Sequence, residues 1–187
     1  MIGWIVAALA AIVIFWGLLT YNGLVRRKNL VAEAWSGIET QLKRRADLIP
    51  NLIETVKGYA AHERGTFDQL TKLRAQASAN QGTGDMAARA QTEQQITAAI
   101  GKIMAVAEAY PDLKASANFQ QLQSQLADVE DQIQLSRRYY NASVRDFNVM
   151  IQQAPSNIIA GWFAFKAADY FQIEDAADRA VPNVSFS

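Results

Sequence analysis

The chain has 187 residues, which suits one domain of ordinary size with an appendage, and its 18 basic and 18 acidic side chains leave no formal net charge. This balance provides no overall attraction for nucleic acid, so we expect no nucleic-acid partner. The absence of cysteine excludes disulfides, a thiolate nucleophile and cysteine-based metal sites. Basic side chains outnumber acidic ones in residues 1–80, and the reverse holds in residues 81–187.

The N-terminal segment Ile2 to Leu19 is a run of 18 residues without a charge. At about 1.5 Å per residue, the run through Tyr21 can cross a hydrocarbon core of roughly 30 Å. Trp4 and Trp16 lie toward its two ends, where aromatic rings favour the membrane interface. A cleaved signal peptide is the alternative, but such peptides usually have a basic segment before a shorter apolar run. The sequence therefore predicts an uncleaved signal-anchor helix over residues 1–21, with the lipid bilayer as its partner.

The orientation follows from the charges that flank this span. Arg26, Arg27 and Lys28 come soon after it, and no charged side chain precedes it. The positive-inside rule then predicts a single-pass protein with its N-terminus outside and its helical domain in the cytoplasm; a periplasmic domain is the alternative.

Small residues recur every four positions within the span, at Gly3, Ala7 and Ala11. Such a stripe allows two membrane helices to approach closely. It predicts an anchor-packing face and a homo-oligomer; the alternative is that alanine is simply common in such spans.

After the span, apolar residues recur with the period of a helix. One pattern predicts a helix of about 35 residues that ends before Pro155. A middle helix is expected between an N-cap at Asp85 and Pro111, and a first helix continues from the anchor without a stop signal through Leu73. A short aromatic helix is expected over Ile158 to Phe171. The residues of the longest seam are Leu122, Leu126, Val129, Ile133, Ser136, Tyr140, Val144, Phe147 and Ile151.

These helices predict an all-α fold. The transmembrane helix is expected to continue into an antiparallel bundle of long helices, packed by their seams in the manner of a coiled coil, over residues 22–172. Ser156 is the expected N-cap of the aromatic helix. The tail, residues 173–187, has no period and is predicted to be disordered.

The stretch LKRRADLIP places three cations and a proline on the first soluble helix. Pro50 lacks an N–H, so either the helix bends there or a new helix begins with Asp47 as its N-cap; the unbroken seam favours the bend. Arg45 falls on the seam itself. Its head is expected to reach water along an apolar surface, and the alternative is a buried ion pair with Glu130, Asp131 or Asp146 that fixes helix register. Lys43 and Arg44 lie off the seam, on a solvated face.

Chemical motifs are lacking. His62 is the chain's single histidine, and a zinc or di-iron site needs several further ligands that the sequence does not supply at the right spacing. No nucleotide-binding glycine motif is present. We therefore expect no catalytic residue, no cofactor and no metal.

Five segments in chain order resemble the LemA family, from the end of the span to the aromatic helix. They are YNGLVRRKNLVAEAW (21–35), IETQLKRRADLIPNLIETVKGYAAHE (38–63), AYPDLKASANFQQLQSQL (109–126), YYNASVRDFN (139–148) and PSNIIAGWFAFKAADYFQ (155–172). The resemblance implies a bacterial protein with an N-terminal transmembrane helix, long antiparallel helices and no defined catalytic residues, and hence the inner membrane as its location.

The leading functional hypothesis is a non-enzymatic, membrane-anchored scaffold or interaction protein that acts by self-assembly or by binding another membrane protein. Lys43, Arg44, Arg45 and Pro50 are the candidate interaction and register residues. Membrane remodelling through the aromatic helix, and a signal-relaying bundle, are the alternatives. Burial of that helix against the bundle is favoured over its action on lipid, because Lys166 is one of its few cations.

Overall fold

The computed structural model describes residues 1–60, 63–82 and 85–172, and within these ranges every regular element is a helix. The prediction of an all-α fold with a long N-terminal apolar helix is confirmed. His62 and the predicted disordered tail lie outside the described residues. The helices are α1 (Ile2–Lys57), α2 (Arg64–Ala79), α3 (Met86–Glu108), α4 (Pro111–Lys114), α5 (Ala117–Gln152) and α6 (Ser156–Trp162).

Helix α1 is continuous from the apolar span into the rest of the chain, as the lack of a stop signal predicted. Pro50 lies inside it, so the alternative of a new helix beginning at Asp47 is wrong; the bend itself stays a prediction. The prediction that this helix runs on to Leu73 is also wrong. It ends at Lys57, and Tyr59, which the periodicity placed on the buried face, is exposed.

The helices form two compact units, one of residues 1–41 and 132–170 and the other of residues 42–131 with 171–172. We call these the first and second units. Each contains part of α1 and part of α5, so each is built from segments far apart in the sequence.

The second unit has an apolar core to which the end of α1, helices α2 to α4 and the start of α5 all contribute. Each buried aliphatic side chain stabilises the unit by roughly 1.5–3 kcal/mol. The side chain of Asp85 accepts a hydrogen bond from the backbone N–H of Ala88, which confirms it as the N-cap of α3. Pro111 is the first residue of α4, where its missing N–H costs nothing. Core residues from the four longer helices include Leu52, Val56, Leu70, Ile96, Ile103 and Leu126.

In the first unit α1 and α5 run antiparallel. Arg27 pairs with Asp146 at 3.8 Å, and the rings of Trp35 and Tyr140 meet at 5.4 Å, so the partner number on α5 falls as the number on α1 rises. Their core is closed by α6, and its buried members are Leu24, Phe147, Ile159 and Ala160.

The C-terminal helix is shorter than predicted. It ends at Trp162 rather than Phe171, because Ala164 adopts φ 52° and turns the chain out of the helix. The Phe165 N–H donates to the carbonyl of Ala160, and the Ala164 N–H to that of Gly161, which together form a Schellman motif. That motif usually has glycine at the left-handed position. Because this position holds alanine, the sequence contains no glycine there to signal the end of the helix.

The prediction that Ser156 is the N-cap of this helix is wrong. Ser156 is the first residue of α6, and its hydroxyl donates to the carbonyls of Met150 and Gln153, at 2.7 and 2.9 Å. The hydroxyl therefore satisfies carbonyls at the end of α5 instead of amides at the start of α6.

Candidate functional site

The guanidinium of Arg45 is the most deeply buried charge in the second unit, with 2% of the residue exposed. Nη1 donates to Glu130 Oε2 and to Thr97 Oγ1, each at 2.7 Å. Our expectation that this head reaches water is therefore wrong. The alternative of a buried ion pair is correct, with Glu130 as the partner among the three acids considered.

The second carboxylate in this cluster, that of Glu93, was not anticipated. Arg45 Nη2 lies 2.5 Å from Glu93 Oε2 and also donates to the Glu93 carbonyl at 3.3 Å. Glu93 is on α3, three residues before the buried Ile96 and four before Thr97, so it borders the buried face of its helix. An acid at that border, opposite an arginine on another seam, is the signal that could have identified it.

This arginine cluster, made of Arg45, Glu93, Thr97 and Glu130, joins α1, α3 and α5 within the second unit. Breaking a buried ion pair by removing one partner typically costs about 3–5 kcal/mol, because the remaining charges are left uncompensated. A slip of any of the three helices by one residue would break at least one of these contacts. The cluster therefore links the three helices, and its polar groups are engaged with one another; its role in fixing helix register stays a prediction.

A cavity of about 280 Å³ adjoins the cluster. Arg45 and Glu130 lie at one side, and most of the remaining lining is apolar or small. Such a cavity presents few polar groups to a ligand apart from Arg45 and Glu130, which are already paired with each other. The other lining residues are Thr97, Ile100, Gly101, Met104, Gln123, Leu126 and Ala127.

Lys43 and Arg44 are exposed, as predicted, while Pro50 is half-buried inside α1. One four-residue stretch, Leu42 to Arg45, therefore divides between core and surface. Leu42 and Arg45 face inward, and the two exposed cations face solvent, where an acidic partner surface can reach them.

Almost all side chains of the apolar span are exposed. Ile2, Trp4 and Leu19 are exposed and Trp16 is half-buried, and among the described residues α1 is the one helix long and apolar enough to cross a membrane. None of its most apolar 18-residue window is buried within the protein. Gly3, Ala7 and Ala11 are likewise exposed, so none of the described residues packs over the small-residue stripe; its role in anchor packing stays a prediction.

An aromatic cluster occupies the first unit where α6 meets α1. The ring of Tyr21 lies 4.5 Å from that of Phe163 and 5.9 Å from that of Phe165, and Phe147 lies 6.3 Å from Phe165. The first pair is tilted and the other two are edge-to-face, and aromatic pairs add about 0.5–1.5 kcal/mol each beyond the area they bury. The cluster fixes the chain that follows α6 to both long helices.

Two polar side chains of α5 hold the backbone of that same segment. Asn148 donates to the carbonyl of Ala168 and accepts from its N–H, each at 2.9 Å. The Tyr140 hydroxyl donates to the carbonyl of Asp169 at 2.8 Å. Burial, and to a lesser extent the negative charge of Asp169, raises the pKa of the Tyr140 phenol. Sequence reasoning placed Tyr140 on the seam but missed Asn148, a buried polar residue beside Phe147.

Among the residues that the structure describes, no group of three or more histidine, cysteine, aspartate or glutamate side chains is placed to hold a metal ion. His62 lies outside that part of the chain, so the expectation about this histidine stays a prediction.

Comparison with known proteins gives a family and several relatives. A sequence model of the LemA family matches residues 34–186. The magnetosome protein MamQ 2 of Paramagnetospirillum magneticum is 27% identical over 187 residues, covering 88% of this chain and 69% of that protein. The magnetosome protein MamQ of Magnetospirillum gryphiswaldense is 26% identical with the same coverage. Protein LemA of Metamycoplasma hominis is 30% identical over 139 residues, covering 74% of this chain and 63% of that protein.

Proposed function

Because this chain belongs to the LemA family, we propose that it is a membrane-anchored scaffold that acts by self-assembly or by binding another membrane protein. It is a membrane-associated helical protein, with one described helix that can cross a bilayer. The scaffold role, the oligomer and the partner are the proposal, and so is the absence of catalytic activity.

The proposal rests on the different environments of the three cations in the LKRR stretch, residues 42–45. Arg45 is buried and binds Glu93, Thr97 and Glu130, whereas Lys43 and Arg44 are exposed to solvent. A rigidly registered helix that presents two adjacent cations is suited to recognise an acidic surface. Complementary charges of this kind set the choice of partner and the rate of association more than the affinity.

Self-assembly has one candidate surface, the Gly3, Ala7 and Ala11 stripe, which is exposed along the span. Small residues at this spacing share a helix face and allow the membrane helix of a second copy to approach closely.

The inner-membrane location belongs to the proposal, with the helical body in the cytoplasm. Arg26, Arg27 and Lys28 are exposed on α1 shortly after the apolar run, where the positive-inside rule expects cytoplasmic cations. A cysteine-accessibility measurement on intact cells, using a single cysteine introduced at Arg44 of this cysteine-free chain, tests the orientation. Labelling by an impermeant reagent before lysis would place the body in the periplasm.

The main test is crosslinking in the native membrane with a photoreactive amino acid at Arg44. The matched control carries it at Lys102, an exposed cation on α3. Self-crosslinks or crosslinks to one defined protein at Arg44, and none at Lys102, would support assembly or partner binding through the exposed cations. Crosslinks equal at both positions, or absent from both, would contradict a role for this face.

A second arm addresses the anchor. An Ala7→Cys variant is expected to form a disulfide dimer across the span on mild oxidation, and a Val6→Cys variant, off the small-residue stripe, is not. Equal dimer yields from the two variants would show that the stripe does not direct packing.

A further inference from the structure

Helix α6 has two faces of different environment. Ile159 and Ala160 are buried in the core of the first unit, while Ile158 is 52% and Trp162 is 78% exposed. Ile158 and Trp162 are four residues apart, so they lie on one side of the helix. Phe163, which follows at once, is 57% exposed. Ile158, Trp162 and the exposed part of Phe163 are apolar and are not covered by the other residues that the structure describes; we call them the α6 face.

The contacts of α6 with α1 fix the height of this face along the span. Ile159 Cδ1 lies 3.7 Å from the position that a Cβ on Gly17 would occupy, and the Phe163 ring packs on Tyr21. The apolar run of α1 ends at Leu19, where the polar Thr20 follows, and Leu19 lies between those two contact points. The α6 face therefore lies beside the stretch of α1 where the apolar span ends.

The chemistry of the face suits the boundary between hydrocarbon and headgroups. Helix α6 itself, SNIIAGW, carries no charged side chain. Tryptophan is enriched at this boundary because its ring is apolar and its indole N–H is polar. Isoleucine and phenylalanine beside it would gain by leaving water.

Cations further along α1 and beyond α6 complete the pattern. Lys28 lies nine residues beyond Leu19, which is about 14 Å along a helix, and Lys166 follows α6 by four residues. Both lysines line a cavity of about 480 Å³ together with Tyr21, Phe163 and Phe165. An apolar face at the level of the span, with cations further from it, matches the order of acyl chains and anionic headgroups in one leaflet.

We propose that the α6 face is a second bilayer contact, through which Ile158, Trp162 and Phe163 enter the interfacial zone of the leaflet that α1 leaves. The inference rests on the proposed membrane anchoring and adds a lipid-binding surface on the body of the protein. Continuity with the apolar span selects lipid as the occupant. The sequence favoured burial of this segment against the bundle; in the structure Ile159 and Ala160 are buried, while Ile158 and Trp162 on α6 are exposed.

The absence of native cysteine allows a direct test with single spin labels on the full chain. Cysteine variants Ile158→Cys and Trp162→Cys carry a nitroxide in vesicles of phosphatidylethanolamine and phosphatidylglycerol. Collision with molecular oxygen, which concentrates in the bilayer, is compared with collision with a water-soluble nickel chelate. Both replaced side chains are largely outside the core, so the fold is expected to persist.

Two control labels define the scale. Leu9→Cys lies in the middle of the apolar run and is the immersed control. Leu135→Cys, also more than half exposed, is the aqueous control. Tyr140 packs on Trp35, about 24 Å along α1 from Leu19, and Leu135 lies further still from the span.

We expect the oxygen-to-nickel ratio at Ile158 and Trp162 to exceed that at Leu135 several-fold and to stay below that at Leu9. Ratios equal to that at Leu135 would overturn the lipid contact while leaving the anchor intact. Protection from both reagents would also overturn it, and would show that a second copy or another protein covers the face. An aqueous signal at Leu9 would instead refute the anchor, and this inference with it.

Discussion

Arg74 Nε donates a hydrogen bond to the carbonyl of Ala46 at 2.9 Å. That carbonyl precedes Pro50 by four residues, so it is the one for which a helix would ordinarily use the N–H of residue 50. A side chain of α2 thus replaces the donor that proline lacks. This contact explains how α1 passes through Pro50 without a break.

The first prediction concerns the coupling between these residues. Arg74→Met should lower the free energy of unfolding by roughly 1–3 kcal/mol, because the Ala46 carbonyl loses its donor. In a Pro50→Ala background the same change should cost much less, since residue 50 then supplies an N–H. A double-mutant cycle by urea unfolding in detergent, followed by circular dichroism, measures the difference. Lys72→Met, an exposed change on the same helix, is the control. Equal costs in the two backgrounds would mean that Arg74 does not compensate for the proline.

The second prediction concerns the arginine cluster. Arg45→Met should destabilise the protein by about 3 kcal/mol or more, because Glu93 and Glu130 remain near each other without a cation between them. Adding Glu93→Gln and Glu130→Gln should restore part of the loss. Arg44→Met, which alters an exposed neighbour, should stay within about 0.5 kcal/mol of the unmodified chain. Thermal unfolding of the four proteins checks this, and failure of the glutamine changes to recover stability would argue against charge as the cause.

The third prediction concerns alkaline pH. Burial raises the folded-state pKa of Tyr140 above its unfolded value of about 10, so the neutral phenol stabilises the fold. This contribution is complete below about pH 10 and is lost as the pH rises through the folded pKa. Tyr140→Phe should therefore lower the free energy of unfolding by about 1 kcal/mol at neutral pH, because the hydrogen bond to the Asp169 carbonyl is lost. The free energy of unfolding of this variant should also decrease less steeply as the pH rises above about 10. Unfolding in urea across this pH range measures both effects.

Tyr139→Phe is the matched control for this experiment, because the Tyr139 ring is more than half exposed. Tyr139→Phe should still lose stability at alkaline pH as the unmodified chain does, because Tyr140 is still present. An identical pH dependence in the unmodified chain and in Tyr140→Phe would contradict the assignment.

The fourth prediction concerns the end of α6. Ala164 has φ 52°, a conformation that costs residues with a Cβ about 1–2 kcal/mol and that glycine adopts freely. Ala164→Gly should stabilise the first unit by roughly 1 kcal/mol once the greater entropy of the unfolded glycine is subtracted. Ala167→Gly, at a position without positive φ, should be neutral or destabilising. Hydrogen exchange at the Phe165 amide, which closes the turn, reports the local effect; faster exchange in Ala164→Gly would count against the argument.

Features that depend on a local pattern can be predicted from the amino-acid sequence alone. The uncharged run from Ile2 to Leu19 marks the span, and the helical period marks α5 and its buried face. Asp85 marks the start of α3, since an N-cap acts within one helical turn. The ion pair between Arg45 and Glu130 could also be named from the sequence as one alternative, because both residues lie on or beside an apolar seam.

The remaining features depend on contacts between helices, because the residues that make these contacts are distant along the chain. Glu93 joins Arg45 across 48 positions and Arg74 reaches Ala46 across 28, so no window of local sequence contains both members of either pair. The end of α6 at Trp162 has the same cause. Packing of Phe165 against Phe147 and the hydrogen bonds of Asn148 to Ala168 hold the chain in a turn that alanine does not favour by itself. Helix periodicity gives the buried face of each element, and contacts between elements decide where the elements stop.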